Sequence, residues 1–180
     1  MKKLIVFVQR ENQMEFRKAV EADANSIINI IIQAQTYFKE NGINQWQDNY
    51  PNFETVKNDI INENGYVLLK DNNVVGIVAV TFEVEKNYES IYDGEWISNR
   101  EYAVIHRIAV DTNYKGLGLS SVIIKNIEET CLNRGVHSIK VDTHKKNASM
   151  QKLLYKNKFQ YCGIIYLEDK SIRIAFEKIL

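Results

Sequence analysis

The feature that most constrains this chain is a glycine-rich turn between an apolar strand and an amphipathic helix. The turn reads Lys115-Gly116-Leu117-Gly118-Leu119-Ser120 and follows the apolar run Val104 to Val110, while a helix is predicted over Leu119 to Asn133. The free N–H groups and the dipole of a helix N-terminus attract anions, and glycines let the backbone approach a phosphate closely. The segment therefore predicts a phosphate or pyrophosphate site, with Lys115, Ser120 and Ser121 as further donors.

Two common phosphate-binding motifs are excluded by the residues around these glycines. No Gly-Lys-[Ser/Thr] sequence follows them, so the turn is not a P-loop. The dinucleotide pattern G-x-G-x-x-G also fails, because position 121 is serine. The turn must belong to another class of phosphate site.

The order of predicted elements indicates one α/β (α+β) domain with a central mixed, mostly antiparallel sheet and helices on both faces. Helical spacing of Ile27, Ile28, Ile31 and Ala34 predicts a first helix, capped by Asp23 or Asn25. The other predicted helices are 53–62, 119–133 and 148–156. The predicted strands are 15–19, 65–70, 74–80, 104–110, 136–143, 159–167 and 172–176.

Length and composition support a single domain in a reducing compartment. The 180 residues contain one proline and no linker-like stretch, so we expect the domain to span residues 14–180. Residues 1–13 carry an apolar run too short for a signal peptide or a membrane span, and we interpret them as an added strand or as an extension upstream of a start at Met14. Cys131 and Cys162 have no redox or metal-ligand spacing, which favours a cytoplasmic protein without a metal.

Charge gives no reason to expect a polyanionic partner. Lys plus Arg and Asp plus Glu are both 23, so the formal net charge is zero. Nucleic acid and anionic membranes are therefore not expected as partners.

Two spaced motifs resemble the GNAT (GCN5-related N-acetyltransferase) superfamily. His106-Arg107-Ile108-Ala109-Val110-Asp111 and the glycine-rich turn are similar to the family's strand followed by [RQ]-x-x-G-x-[GA], with Lys115 in place of Arg or Gln and Ser120 in place of the last small residue. Downstream, Asn147, Leu153-Leu154-Tyr155 and Phe159 resemble the family's N-x-x-A-x-x-L-Y-x-x-x-G-F segment. With the order of elements, the resemblance covers residues 14–180.

The resemblance implies a cosubstrate, acetyl-CoA, and an amine acceptor that attacks its thioester directly, in a chain that is often a homodimer in this family. The strand backbone would pair with the pantetheine arm and the turn would hold the pyrophosphate. The residues so implied are Ile108, Ala109, Val110, Lys115, Gly116, Leu117, Gly118, Leu119, Ser120 and Ser121. Asn147 would bind near the pantetheine arm, a role compatible with capping the next helix. A CoA-binding module without catalysis is the alternative.

His106 is the first candidate for the base. Strand alternation would put Val104, His106, Ile108 and Val110 on one face, and a neutral imidazole accepts a proton near pH 7. Some family members carry a histidine at this strand position; the alternative is a hydrogen-bonded core histidine. His144 is a second candidate, and Asp142 could reach the same cleft.

The proton donor to the thiolate is less defined. Leu154 occupies the position where the family often has tyrosine, and Tyr155 lies about 100° further round the helix. Tyr155 is therefore either the donor or a partly buried structural residue, with Tyr161 or a water as substitutes. The resemblance implies an acceptor pocket built from the first two helices and the loop between strands three and four, and these segments carry Trp46, Tyr92 and Trp96 beside several carboxylates. The alternative for that segment is a solvated acidic loop.

Overall fold

The computed structural model describes residues 14–180, and the predicted extension 1–13 lies outside the described residues. The helices are α1 (Ala24–Glu40), α2 (Phe53–Ile61), α3 (Leu119–Asn133) and α4 (Ala148–Lys156). The strands are β1 (Met14–Lys18), β2 (Gly65–Lys70), β3 (Asn73–Thr81), β4 (Ala103–Val110), β5 (Ser138–Thr143), β6 (Gln160–Tyr166) and β7 (Ile172–Ile179). None of the helices within residues 14–180 is long and apolar enough to cross a membrane.

All seven strands form one mixed sheet in the order β1-β2-β3-β4-β5-β7-β6. Only β4 and β5 pair in parallel, and every other neighbouring pair is antiparallel. One apolar cluster joins the sheet to α3 and α4, and a second joins it to α1 and α2. The predicted fold class, a mostly antiparallel mixed sheet with helices on both faces, is confirmed.

The helices follow from their apolar spacing and their glycines. In α1, Ile27, Ile30 and Ile31 are almost fully buried, three and four residues apart on the sheet-facing side. Gly118 and Gly135 bracket α3 in left-handed conformations, with φ of 75° and 72°, which glycine adopts without a Cβ penalty. Asp23 directly precedes α1, but the prediction that its side chain caps this helix is wrong. Its carboxylate instead accepts hydrogen bonds from the Arg17 guanidinium at 2.7 and 3.0 Å.

Strand β7 runs three residues beyond its predicted end at Phe176. Glu177, the first residue past the predicted end, is fully buried. Its carboxylate accepts hydrogen bonds from the backbone N–H of Ile97 at 2.6 Å and from the Ser138 hydroxyl at 2.6 Å. These donors offset the cost of burying the charge, so β7 continues between β5 and β6.

Strand alternation in β4 is interrupted by a β-bulge. Ala109 faces Ile77 and His106 faces Ala79, so two residues of β4, Arg107 and Ile108, oppose one residue of β3. The prediction that His106 and Ile108 share a face is therefore wrong. Ile108 and Val110 pack against the cluster that contains α3, whereas Val104 belongs to a separate cluster with Tyr88, Ile165 and Ala175.

Candidate active site

The centre of the candidate site is a gap between the two parallel strands. Strand β4 pairs with β5 only at Ala103 with Ile139 and at Val104 with Lys140. Beyond Val104 the strands diverge, so the β5-facing edge of β4 has no ladder partner from Ile105 to Val110. An unpaired strand edge presents backbone donors and acceptors that an extended ligand can use.

Arg107 stabilises the bulge that accompanies this divergence. Its φ of 43° lies in the left-handed region, which is strained for a residue with a side chain. The guanidinium forms a forked ion pair with the Asp59 carboxylate of α2 at 2.6 and 3.0 Å, and it also donates to the Tyr50 hydroxyl at 2.9 Å. Both charged side chains are mostly buried, so the pair fixes the bulge against α2.

The glycine-rich turn leads from the end of β4 into α3. Gly116 has a φ of 82° and Gly118 a φ of 75°, and a Cβ at either position would meet no atom within 4 Å. Leu119 and Ser120 occupy the first turn of α3, where backbone N–H groups have no acceptor within the helix. The turn therefore leaves open space in front of a helix N-terminus, which suits an anion.

Other groups around the turn are already engaged within the protein. The N–H of Ser121 donates to the Gly118 carbonyl at 3.0 Å, so this amide is less free for a ligand than predicted. The Lys115 ammonium lies 4.8 Å from the centre of the Tyr37 ring. Gln33 of α1 accepts a hydrogen bond from the Thr112 N–H at 2.7 Å and so tethers the turn to α1, a contact that sequence reasoning missed.

Asn147 caps α4, as one of its two predicted roles required. Its side-chain oxygen accepts from the Met150 N–H at 3.1 Å, and its side-chain nitrogen donates to Gln45 at 3.1 Å. The residue is buried and lines a cavity that is described below. The side-chain amide is occupied by these two partners, and its role near the pantetheine arm stays a prediction.

A cavity of about 630 Å³ includes the gap and extends beneath the loop that follows α1. Both diverging strands line it, β4 through residues 105–108 and β5 through residues 141–143. Trp46, predicted for the acceptor pocket, is also in its wall, as are Tyr50 and Tyr88. Such a volume is typical of a small-molecule site.

His106 lines this cavity as a mostly buried, neutral imidazole. Its Nε2 lies 3.3 Å from the Thr81 hydroxyl and 4.0 Å from a Glu85 carboxylate oxygen. Burial, aided by the charge of Arg107 and opposed by Glu85, lowers the pKa of His106 to about 4. The imidazole is therefore unprotonated near pH 7 and available to accept a hydrogen bond.

A second polar group in the cavity is formed by Asp142, Tyr88 and Arg173. The Tyr88 hydroxyl donates to Asp142 at 2.7 Å, and the Arg173 Nε lies 4.0 Å from the other carboxylate oxygen. Burial raises the pKa of Asp142, and burial beside Asp142 holds the pKa of Tyr88 well above its usual value. Asp142 thus reaches the same cleft as His106, which the sequence suggested, whereas Arg173 carried no signal before the fold was known.

Four residues predicted for catalysis or for the acceptor pocket lie outside the cavity lining, as do Ala109, Val110 and the glycine-rich turn predicted to bind the cosubstrate. Tyr155 is exposed and packs edge-on against Phe176. His144 accepts the Lys146 N–H at 3.1 Å through Nδ1, so it caps the turn after β5. Tyr92 packs against Tyr166 at the surface, and Trp96 stacks near Tyr88 while donating to its carbonyl at 2.9 Å.

The surroundings of these four side chains could not be predicted, because sequence spacing does not give the direction of a side chain. Leu154, at the family's tyrosine position, is fully buried in the core.

Within the described residues, 14–180, no group of three or more His, Cys, Asp or Glu side chains could hold a metal ion.

Comparisons with known proteins agree with this architecture. The model of the acetyltransferase (GNAT) family matches residues 31–159. A GNAT-family acetyltransferase from Streptococcus agalactiae is 31% identical, with a TM-score of 0.86 over 94% of this chain and 98% of that one. No curated protein sequence matched the chain.

Two more distant structures share the fold. A GNAT-family acetyltransferase from Listeria monocytogenes is 18% identical, with a TM-score of 0.72 over 93% of this chain and 95% of that one. The ribosomal-protein-alanine N-acetyltransferase from Brucella melitensis is 19% identical, with a TM-score of 0.67 over 92% and 99%. Since the family model spans more than half of the sequence and includes the strand, turn and helix of the candidate site, the chain belongs to the GNAT acetyltransferase family.

Proposed function

We propose that this protein transfers an acetyl group from acetyl-CoA to a primary amine by direct attack while both substrates are bound. The observation that carries the proposal is that one cavity contains both the β4–β5 gap and the neutral His106 imidazole. GNAT enzymes typically use acetyl-CoA, and the donor set here fits that cosubstrate. The buried, free thiols of Cys131 and Cys162 are compatible with a cytoplasmic setting.

The residues that would hold acetyl-CoA lie along one path. The unpaired edge of β4 at residues 108–110 would bind the pantetheine amides as an added strand. The turn from Gly116 to Ser120 would bind the pyrophosphate through backbone N–H groups and the α3 dipole, with Lys115 as an additional charge. Bound acetyl-CoA supplies an activated thioester, and the chain supplies orientation and proton transfer.

The amine must lose a proton before or during its attack. Glu85 and His106 are adjacent in the cavity, and one Glu85 oxygen is directed toward His106 at 4.0 Å. We propose that the Glu85 carboxylate attracts the ammonium form of the acceptor and that His106 accepts its proton. The pKa of about 4 already includes the raising effect of Glu85, so His106 is a weak base, and the neighbouring carboxylate only partly offsets the cost of burying the imidazolium.

A CoA-binding protein without catalysis is the second candidate, and one observation favours it. Leu154 replaces the usual tyrosine, and Tyr155 is directed to Phe176 and not to the cavity. In the catalytic proposal a water would protonate the departing thiolate. Rapid release of CoA in the presence of an amine would distinguish the two candidates, because binding alone releases no thiol.

Two measurements on the full chain test these proposals. Acetyl-CoA at about 100 times its Kd would stabilise the folded protein by about 2.7 kcal/mol, which raises the Tm by roughly 5–11 °C. No saturable Tm increase would exclude acetyl-CoA binding. Thiol release is then followed across a panel of small amines and peptide amines, with His106→Gln as the variant; we expect its kcat to fall by about 10²-fold or more, with acetyl-CoA affinity nearly unchanged.

A further inference from the structure

The loop between α1 and α2, residues 41–52, forms part of the cavity wall in an unusual backbone conformation. Trp46, Asp48 and Asn49 have φ values of 57°, 56° and 60°, all in the left-handed region. Residues with side chains adopt this conformation rarely, and they keep it only where the surroundings determine it strongly. The contacts that fix this loop therefore also shape the cavity.

One side-chain oxygen of the loop receives three hydrogen-bond donors from the other side of the cavity. Gln45 Oε1 accepts from the Asn147 side-chain nitrogen at 3.1 Å, the Thr143 hydroxyl at 3.3 Å and the His144 N–H at 3.4 Å. Thr143 ends β5 and Asn147 caps α4. Gln45 thus joins the α1–α2 loop to the strand that forms one side of the β4–β5 gap.

The orientation of the Gln45 amide is fixed by this network. The His144 donor is a backbone N–H, which can only donate. Asn147 must present its nitrogen to Gln45, because its oxygen already accepts the Met150 N–H at 3.1 Å. Gln45 therefore must act as an acceptor here, and a side chain without an acceptor would leave the three donors facing it unpaired.

Trp46 is the neighbour of this anchor in the chain. It follows Gln45 directly, lines the cavity and packs edge-on against Phe38 with ring centres 5.5 Å apart. The next glutamine, Gln47, bonds to carbonyls of the loop itself and of α1, so it stiffens the loop without attaching it to β5. Among the described residues of this loop, Gln45 alone has side-chain hydrogen bonds to Thr143 and Asn147.

We infer that Gln45 is a positioning residue that holds the α1–α2 loop, and Trp46 with it, as the wall of the acceptor half of the cavity. The inference rests on the proposed function for the identity of that half. Loss of the anchor would weaken acceptor binding more than acetyl-CoA binding, because Gln45 and Trp46 line the cavity, whereas within residues 14–180 no hydrogen bond joins the loop to the glycine-rich turn.

Three variants test this inference. Gln45→Met keeps the length of the side chain and removes the acceptor, whereas Gln45→Glu keeps an acceptor oxygen. Gln151→Met is the matched control, because within the described part of the chain the Gln151 side chain has one hydrogen bond, to the Lys145 carbonyl at 2.8 Å, and lies outside the cavity lining. Each variant is examined for acceptor KM, acetyl-CoA Kd by calorimetry, and amide hydrogen exchange of residues 43–50.

We expect Gln45→Met to raise the acceptor KM about tenfold and to speed exchange in residues 43–50 by a similar factor, with acetyl-CoA Kd changed by less than about twofold. Gln45→Glu and Gln151→Met should stay close to the parent in acceptor KM, in acetyl-CoA Kd and in hydrogen exchange. Equal impairment of the Met and Glu variants, or unchanged exchange in Gln45→Met, would overturn the inference. If the parent transfers no acetyl group, the proposed function fails, and hydrogen exchange still decides the role of Gln45.

Discussion

Replacing Gly118 with valine separates backbone strain from the binding of a phosphate, because the same helix provides a matched control. Gly118 and Gly135 flank α3 with φ values of 75° and 72°, and a Cβ at either position would meet no atom within 4 Å. Gly118→Val and Gly135→Val therefore cost the folded state similar strain. Only Gly118 lies at the helix N-terminus, where a ligand phosphate would approach the backbone.

The expected magnitudes follow from these two effects. Left-handed backbone costs a residue with a Cβ about 1–2 kcal/mol, which lowers the Tm of either variant by roughly 2–8 °C. A Cβ in front of α3 would also block about two charge-assisted hydrogen bonds to the pyrophosphate, worth about 1.5–3 kcal/mol each. Gly118→Val should thus lose roughly 10²- to 10⁴-fold in acetyl-CoA affinity, while Gly135→Val stays within about twofold of the parent.

Isothermal calorimetry with acetyl-CoA, together with thermal melts, measures both quantities on the same samples. If a valine variant does not fold, the pair Gly118→Ala and Gly135→Ala makes the same comparison with a smaller side chain. Equal acetyl-CoA affinities for the two variants of a pair would refute the assignment of the turn as the pyrophosphate site.

Two further predictions concern the charges around the bulge. The pKa of His106 is about 4 in the folded protein and 6.5 in the unfolded chain, so the imidazole of the unfolded chain is protonated first as the pH falls. Between pH 6.5 and pH 4 this residue therefore lowers the free energy of unfolding by up to about 3 kcal/mol. Urea unfolding of the parent and of His106→Gln measures this effect. The free energy of unfolding of the parent should decline relative to that of the variant between pH 6.5 and pH 4; a constant difference would contradict the buried neutral state. Asp59→Ala leaves the Arg107 guanidinium buried without its main partner, and urea unfolding should show a loss of about 3–5 kcal/mol with weaker acetyl-CoA binding. A loss below about 1 kcal/mol would mean that the pair does not hold the bulge.

Local signals in the sequence were sufficient for most of the fold. The hydrophobic spacing of α3 and the glycine before it predicted this helix with its observed bounds, Leu119–Asn133, and the same holds for α4. Both are amphipathic helices with a glycine or asparagine at the start, so local chemistry and tertiary packing agree. The end of β7 was missed because the partners that allow Glu177 to be buried lie in other segments of the chain.

The candidate site was only partly predictable, since its shape depends on contacts between distant segments. The glycine-rich turn is a local motif and was found directly. Trp96 and Tyr92 were expected in the acceptor pocket because they lie in an aromatic, acidic segment, yet they pack against Tyr88 and Tyr166. No spacing rule gives the direction of a side chain in a segment without regular secondary structure.

The bulge in β4 shows why the chemistry of the site is harder to predict than its cosubstrate. A regular strand would place His106 and Ile108 on the same face, but the left-handed Arg107 puts an extra residue between them. That conformation is held by Asp59, 48 residues earlier in the chain, so it has no local signature. The bulge accompanies the divergence of β4 from β5 and leaves His106 directed toward Thr81 and Glu85. A single long-range ion pair thus supports both the open strand edge and the position of the imidazole, which is why acetyl-CoA binding and catalysis should weaken together when Asp59 is removed.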